Sequence, residues 1–260
     1  MTAEQLSVDL DTGLENHPRY EDAIAGLHRL IVEPGTRLDQ LLSCLENALP
    51  ASSPPALKVL AVEAVARQLG REWSDDTSSF IDVTIASTRL QDLAQALSIE
   101  TADRISAHSA PFAAILLPKD EQHSLMAHLT GAFFQAFGWQ HQVLAHDEPT
   151  HQEIGSVVAK ANAVCIGWSN MRLRSQVKQL IHDIKLSSPD RNQPLIAGGV
   201  AALDSVEFLV EMGIDCVCDT AYSAVKIADN FNNLEKMDFV SPQIRSGQYE
   251  KTRRIDWRNP

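Results

Sequence analysis

Two patterns divide this chain. Up to about residue 105 the apolar positions recur at helical spacing. Tyr20 to Val32 and Thr36 to Leu49 predict two helices separated by Pro34-Gly35, and Pro55 to Gly70 predicts a third. After Trp73, the residues Phe80, Val83, Ser87, Leu90, Ala94 and Leu97 step by three or four and form one stripe of a fourth helix. Within it Ile81-Asp82-Val83-Thr84-Ile85 is rich in β-branched residues and also fits a strand, but the longer stripe argues helix. Four helices with short connections make a small bundle.

Beyond a polar stretch from Glu100 to Ala110, strand and helix patterns alternate. Apolar runs at Phe112–Leu117, Gln140–Ala145, Ala163–Trp168, Pro194–Ala197 and Asp215–Cys218 are each followed by a helical segment: 122–137, 152–161, 173–186, 203–212 and 221–231. Five such units predict an α/β fold: an N-terminal helical bundle followed by a doubly wound, five-stranded parallel sheet, Rossmann-like and of flavodoxin type. The expected division is a flexible N-terminus over 1–17, the bundle over 18–105, the sheet domain over 110–235 and a polar tail over 236–260.

Composition narrows the function classes. Net charge is -12 over 260 residues, which disfavours strong direct binding to nucleic acid. No apolar run is long enough to span a membrane, and residues 1–16 are polar and acidic, unlike a secretory leader. The expectation is a cytoplasmic protein. The four cysteines lie mostly in apolar segments and read as buried thiols. Cys216 and Cys218 share one face of a strand, but no second Cys/His pair at zinc spacing accompanies them.

Unusual residues gather at the expected carboxyl ends of the strands, where such sheets bind ligands. Pro118-Lys119-Asp120-Glu121-Gln122-His123 follows the first strand. Gly167-Trp168-Ser169 closes the third, Gly198-Gly199-Val200 the fourth and Asp219-Thr220 the fifth. Taken singly, these read as a solvated histidine, turn glycines and a helix cap. One ligand site explains them together.

These residues resemble the cobalamin-binding domain family. Glu121-Gln122-His123-Ser124-Leu125-Met126 looks like its Asp-x-His-x-x-Gly motif, Ser169 like its serine after the third strand, and Gly198-Gly199 like its Gly-Gly. The segment Met212 to Val225, with Asp219, resembles its closing segment, so the likeness runs from about Ala110 to Asn232. The preceding helices look like its helical cap. Within the family, the Pro-Lys-Asp-Glu-Gln-His loop and the segment from Trp73 to Gln91 resemble the AerR/PpaA group, cobalamin-binding antirepressors of photosynthesis genes; the heme- or corrinoid-sensing domain of AppA is similar.

The resemblance implies that His123 is the axial ligand to cobalt, with Glu121 on its other ring nitrogen. Gln122, Met126, Trp73, Ser169, Gly198, Gly199 and Asp219 would line the cofactor, with the displaced nucleotide tail entering the sheet crevice. Ser169 would hydrogen-bond that tail, and the two glycines would admit it. Two departures stand out: Glu121 replaces Asp, giving a longer and less constrained contact, and Met126 replaces Gly and adds bulk beside the cofactor. His141 and His146, after the second strand, are candidates for the opposite axial face. Trp73 reads equally as a core or interface residue. The implied function is a light- or ligand-responsive antirepressor, not an enzyme, that works through a DNA-binding transcriptional repressor. A corrinoid methyl carrier and a heme-binding sensor are the alternatives.

Overall fold

A computed structural model of the chain describes residues 14–102, 110–144, 150–188 and 192–239. After a 3-10 turn at Leu14–Asn16 come four helices: α1 (Glu21–Val32), α2 (Leu38–Ala48), α3 (Pro55–Ser74) and α4 (Phe80–Ala102). The alternating part follows as β1 (Phe112–Leu116), α5 (Leu125–Ala136), β2 (Gln140–Leu144), α6 (His151–Val158), β3 (Ala163–Gly167), α7 (Arg174–Ser187), β4 (Leu195–Gly198), α8 (Val200–Leu203), α9 (Val206–Glu211), β5 (Cys216–Cys218) and α10 (Ala221–Phe239). All strands pair in parallel, in the order β2-β1-β3-β4-β5. This is the doubly wound order, with its switch point between β1 and β3.

The 3.6-residue stripe decides the ambiguous segment at Ile81 to Ile85: it is helical, the first turns of α4. Ala86, Leu90, Leu93, Ala94 and Leu97 of α4 are buried on one side. Helix α3 is different. Pro55 opens it at a position that needs no backbone donor, and its buried residues run almost unbroken from Ala56 to Val65. A helix apolar on nearly all sides belongs inside a protein, and α3 is the central helix of the bundle.

Bundle and sheet share one core. A single cluster of buried residues joins Leu27, Leu60 and Leu90 of the bundle to Leu129 and Phe133 of α5, Ile115 and Ile196 of the sheet and Val225 of α10. The opposite sheet face packs separately against α6 to α9, around Trp168, Val177 and Ile181.

One carboxylate in this core is paired across the two parts. Glu63, 1% exposed in the middle of α3, accepts the Ala221 backbone N–H at the start of α10 (3.3 Å) and faces Arg67 Nη1 (3.2 Å). A buried charge persists only when compensated in this way. Arg67 and Arg71 both donate to Glu15 in the first turn of the chain. Burial pushes the Glu15 carboxyl up, yet the two arginines bring it down to about 2. Of the stretch expected as a flexible N-terminus, 1–17, residues 1–13 lie outside the described residues, while Leu14 is buried in the 3-10 turn and Glu15 pairs with the two arginines. At the other end α10 continues to Phe239, past the expected end of the sheet domain; residues 240–260 of the expected tail lie outside the described residues.

His141 corrects an expectation. It lies in the first half of β2, away from the carboxyl end, and packs on α5: a methyl group on Gly131 would stand 2.6 Å from its ring. It therefore does not reach the ligand crevice. His146 falls outside the described residues. Burial, with the nearby His128, lowers the His141 pKa from 6.5 to about 4. A neutral form favoured by folding gives stability that is fully present above pH 6.5 and is lost as pH falls towards 4. Urea unfolding at pH 7 and pH 4.5 should show His141 contributing up to about 3 kcal/mol to the acid loss. A His141→Gln variant should lose correspondingly less on acidification; equal losses would contradict the assignment.

Candidate functional site

Helix α5 starts at Leu125, not at Gln122, so His123 sits in the loop ahead of it. That loop leaves β1 through a turn closed by Glu121 N–H donating to the Pro118 carbonyl (3.1 Å). Asp120, third in the turn, has φ 67°. Asp is one of the few side chains that tolerate this left-handed region, because it hydrogen-bonds locally. The turn points Glu121 inward and leaves His123 out.

Glu121 holds the site together. Its side chain is 1% exposed. One oxygen accepts from the backbone N–H groups of Ser169 (2.9 Å) and Asn170 (3.1 Å), at the end of β3. The other accepts from His123 N–H (3.1 Å) and lies 2.6 Å from His123 Nδ1. Burial pushes the Glu121 carboxyl up, but these donors outweigh it and hold the group below its ordinary value. A carboxylate only accepts, so of the two neutral tautomers this contact selects the one with the proton on Nδ1 and the lone pair on Nε2. The His123 side chain is 67% exposed. The longer Glu side chain is thus not less constrained: both of its oxygens are held, one by the β3 loop and the other by His123.

His123 stands at the rim of a cavity of about 230 Å³ at the carboxyl ends of the strands. Its floor is apolar, formed by Ile115, Cys165, Ile196 and Ala197; Ala127 and Thr130 of α5 and Ala221 and Ala224 of α10 line it from the flanking helices. Met126, Ser169, Gly198, Gly199 and Asp219 also line it. Met126, on the first turn of α5, remains 36% exposed. Ser169 forms no side-chain hydrogen bond among the described residues, whereas Asp219 accepts weakly from Ser223 (3.4 Å).

The two glycines differ in their demands. Gly199 has φ 106°, and a methyl group there would collide with the Trp168 carbonyl. A methyl on Gly198 would meet Cys218 at 3.3 Å. Gly199 thus lets the β3 and β4 loops close on each other, and Gly198 lets β5 lie against the end of β4. Trp168, fully buried, completes that closure by donating its indole N–H to the Asn170 carbonyl (2.7 Å) and its backbone N–H to Gly198 (2.8 Å).

Two expected site residues do not come to the crevice. Gln122 is exposed and does not line it. Trp73 is 48% exposed near the end of α3, against Phe80 of α4. It lies ten residues beyond Glu63, about 15 Å along the helix, and forms an exposed apolar corner with Phe80, Ile81 and Ile85. Residues not picked out from the sequence include Thr130, which shares a helix face with Met126 four positions earlier. Asn170 contributes through its backbone, and Gln91 of α4 accepts from the Ser124 hydroxyl beside His123 (3.2 Å). Cys165 and Cys218 line the crevice as neutral thiols: burial pushes both up, Cys218 to about 12. Cys216 does not line it. Among the described residues no group of three or more His, Cys, Asp or Glu is placed to hold a metal by itself, and no helix is long and apolar enough to cross a membrane.

No family model matches the chain. Its fold is similar to that of the monomethylamine corrinoid protein of Methanosarcina barkeri, with a TM-score of 0.61 and 16% identity over 80% of this chain and 97% of that one. A novel cobalamin-binding protein from Desulfitobacterium hafniense DCB-2 matches with a TM-score of 0.43 at 14% identity, over 81% of this chain and 97% of that one. The methanol:cobalamin methyltransferase complex MtaBC of M. barkeri matches with a TM-score of 0.43 at 15% identity, over 88% of both. In sequence, 67 residues are 39% identical to an uncharacterized 20.5 kDa protein in the bchF-crtJ intergenic region of Rhodobacter capsulatus; the match takes in 25% of this chain and only 35% of that relative.

The Glu121 tie predicts an ordering of variants. Glu121→Ala strands two partly buried backbone donors, Ser169 and Asn170 N–H, and should cost roughly 1–3 kcal/mol in urea unfolding. Glu121→Gln keeps an acceptor oxygen and should cost clearly less. Equal costs would show that the carboxylate does not support the loop as described.

Proposed function

We propose that this protein binds cobalamin, with His123 Nε2 as the axial ligand to cobalt. The observation that carries the reading is the Glu121–His123 pair at 2.6 Å, on the rim of an apolar crevice at the sheet's switch point. A metal-binding histidine is ordinarily fixed in tautomer and orientation by a carboxylate on its other nitrogen, and imidazole suits a transition metal such as cobalt. The donor set therefore fits the cofactor. Cobalamin, when bound, supplies a cobalt centre that changes redox state and exchanges ligands. The chain's residues would hold it: Glu121 orients the ring, Ser169 offers its hydroxyl, and Met126 lies beside the bound group. Heme, the other cofactor weighed from the sequence, gains nothing from the structural neighbours described above.

The role we propose for the bound protein is regulatory. Cobalamin occupancy, through light or ligand exchange at cobalt, would alter the helical part and its contact with a DNA-binding repressor. Three points support this: the likeness of the Trp73–Gln91 segment and the His123 loop to the antirepressor group, the local sequence match to the protein of the bchF-crtJ region, and a net charge of -12, which suits a basic protein surface better than DNA. The exposed corner of Trp73, Phe80, Ile81 and Ile85 is available for such a contact. A second reading, a corrinoid methyl carrier, draws on the fold shared with the monomethylamine corrinoid protein.

Titration with hydroxocobalamin should shift the cofactor's absorption bands in the wild type. His123→Ala should weaken binding by 10-fold or more, on the order of one lost metal–ligand interaction. Equal affinity and identical spectra would remove His123 from the metal. To separate the roles, repressor occupancy on DNA is followed with and without cobalamin, in light and dark, beside an assay of methyl transfer from methylcobalamin to a thiol. Occupancy is expected to respond and methyl transfer to be absent; the opposite pair of results would establish the carrier.

A further inference from the structure

Helix α7 covers the sheet face opposite the bundle, where Val177, Leu180, Ile181 and Ile184 are buried. Its outer face carries charge of one sign. Arg174, Lys178, His182 and Lys185 are all exposed. They recur at intervals of four, four and three residues, so they form one row of about 16 Å along the helix. The helix has a single carboxylate, Asp183, and it is turned inward. It is 6% exposed, accepts from Gln179 Nε2 (2.8 Å) and faces His151 Nδ1 (3.3 Å). In the bundle, Lys58 pairs with Glu100, and Arg67 and Arg71 pair with Glu15. Among the described residues, none of Arg174, Lys178 and Lys185 has an acidic partner. Arg174 instead lies over the Phe208 ring (4.2 Å), and Lys185 donates to the Met212 carbonyl. These contacts steady the two side chains and bring no opposite charge. Glu207 and Glu211, on α9 beside Phe208, bound the row on that side.

We propose that the outer face of α7 binds the phosphate backbone of duplex DNA without reading its sequence. Every side chain of the row can donate a hydrogen bond, which is the make-up of phosphate contacts. No apolar side chain is exposed between Arg174 and Lys185, so the face lacks the apolar centre of a protein interface. The apolar side of α7 is already packed on the sheet, so the helix cannot lie in a lipid interface. The row presents no Phe, Tyr or Trp on which the bases of a single strand could stack. The net charge of -12 makes this contact weak without cancelling it. At physiological ionic strength charges are screened beyond about 8 Å, and the acidic bundle lies across the sheet. So small a contact counts most when a DNA-bound partner holds the chain close to the duplex. The proposal does not depend on the cobalamin reading.

The test is a fluorescence anisotropy titration of labelled duplex DNA with the full chain over a series of salt concentrations. Two duplexes of unrelated sequence should bind alike. Three neutralised phosphates give a slope of about -2.7 for the logarithm of affinity against the logarithm of salt concentration. Lys178→Glu with Lys185→Glu should weaken binding at low salt by about 10-fold or more, the scale of two lost phosphate contacts. Lys178→Gln changes a side chain with no intramolecular partner among the described residues; it should weaken binding in the same direction and make the slope shallower by about 1. Arg19→Glu with Arg29→Glu makes the same change in net charge on the bundle side and should weaken binding by less than about 2-fold. Matching thermal unfolding curves verify that each variant is folded. Binding unchanged by the α7 substitutions, or weakened as much by the bundle pair, would overturn the assignment. So would no binding even at the lowest salt. Polyglutamate or single-stranded DNA binding as tightly as the duplex would show that the face takes acidic chains in general, and would overturn the choice of duplex DNA. None of these outcomes bears on the cobalamin titration, so the two readings stand or fall separately.

Discussion

The buried carboxylate of Glu121 is the constraint on which the site depends. A doubly wound sheet parts its loops at the switch point, and here the β1 and β3 loops would diverge around an apolar hollow. Glu121 bridges them by accepting the N–H groups of Ser169 and Asn170. The same carboxylate fixes the ring of His123. Loop closure and imidazole orientation are therefore one event, and neither is arranged separately. The depressed Glu121 pKa is the electrostatic record of this: the donors gathered around it overcome its burial. Gly199 and Trp168 extend the closure from β3 to β4.

The helical part is joined to this wall, not appended to it. Its core is continuous with that of α5 and α10, and Glu63 reaches from α3 to the first N–H of α10, next to Thr220 and Asp219 at the crevice mouth. Gln91 of α4 touches Ser124, one residue from His123. These contacts connect α3 and α4 directly to the rim of the site. This physical connection is what a regulatory reading requires, since a bound cofactor can influence a partner only through an element whose position it biases.

The fold was legible because its two periodicities are strong. Alternating β and α segments after residue 110 leave few topologies, and the helical stripe through Leu90 and Leu97 outweighed the β-branched run at Ile81. His123 and Glu121 stood out through their place at a strand's end. What escaped was carried by the backbone or by context. The N–H groups of Ser169 and Asn170 have no signature in the side-chain sequence. Gly198 and Gly199 look equivalent as letters, yet only Gly199 has positive φ, and its need comes from the Trp168 carbonyl. Trp73 resembled a family position but lies beyond the crevice, exposed with Phe80. His141 follows β1 and α5 in order, but strand direction puts it at the far end of the sheet. Glu63, a lone carboxylate in the apolar run Leu60 to Val65, was the visible sign of a buried ion pair, and its partner Arg67 lay one helical turn on.

The bond we propose between His123 and cobalt carries the functional reading. It is tested most directly by electron paramagnetic resonance of the protein loaded with cobalamin and reduced to the cobalt(II) state, prepared with natural-abundance and with nitrogen-15-labelled chain. If His123 is the axial ligand, the superhyperfine splitting changes from the triplet of nitrogen-14 to the doublet of nitrogen-15 on labelling, because the coordinating nitrogen belongs to the protein. A triplet that persists in the labelled protein would mean that the cofactor keeps its own base on cobalt, and would contradict the central claim.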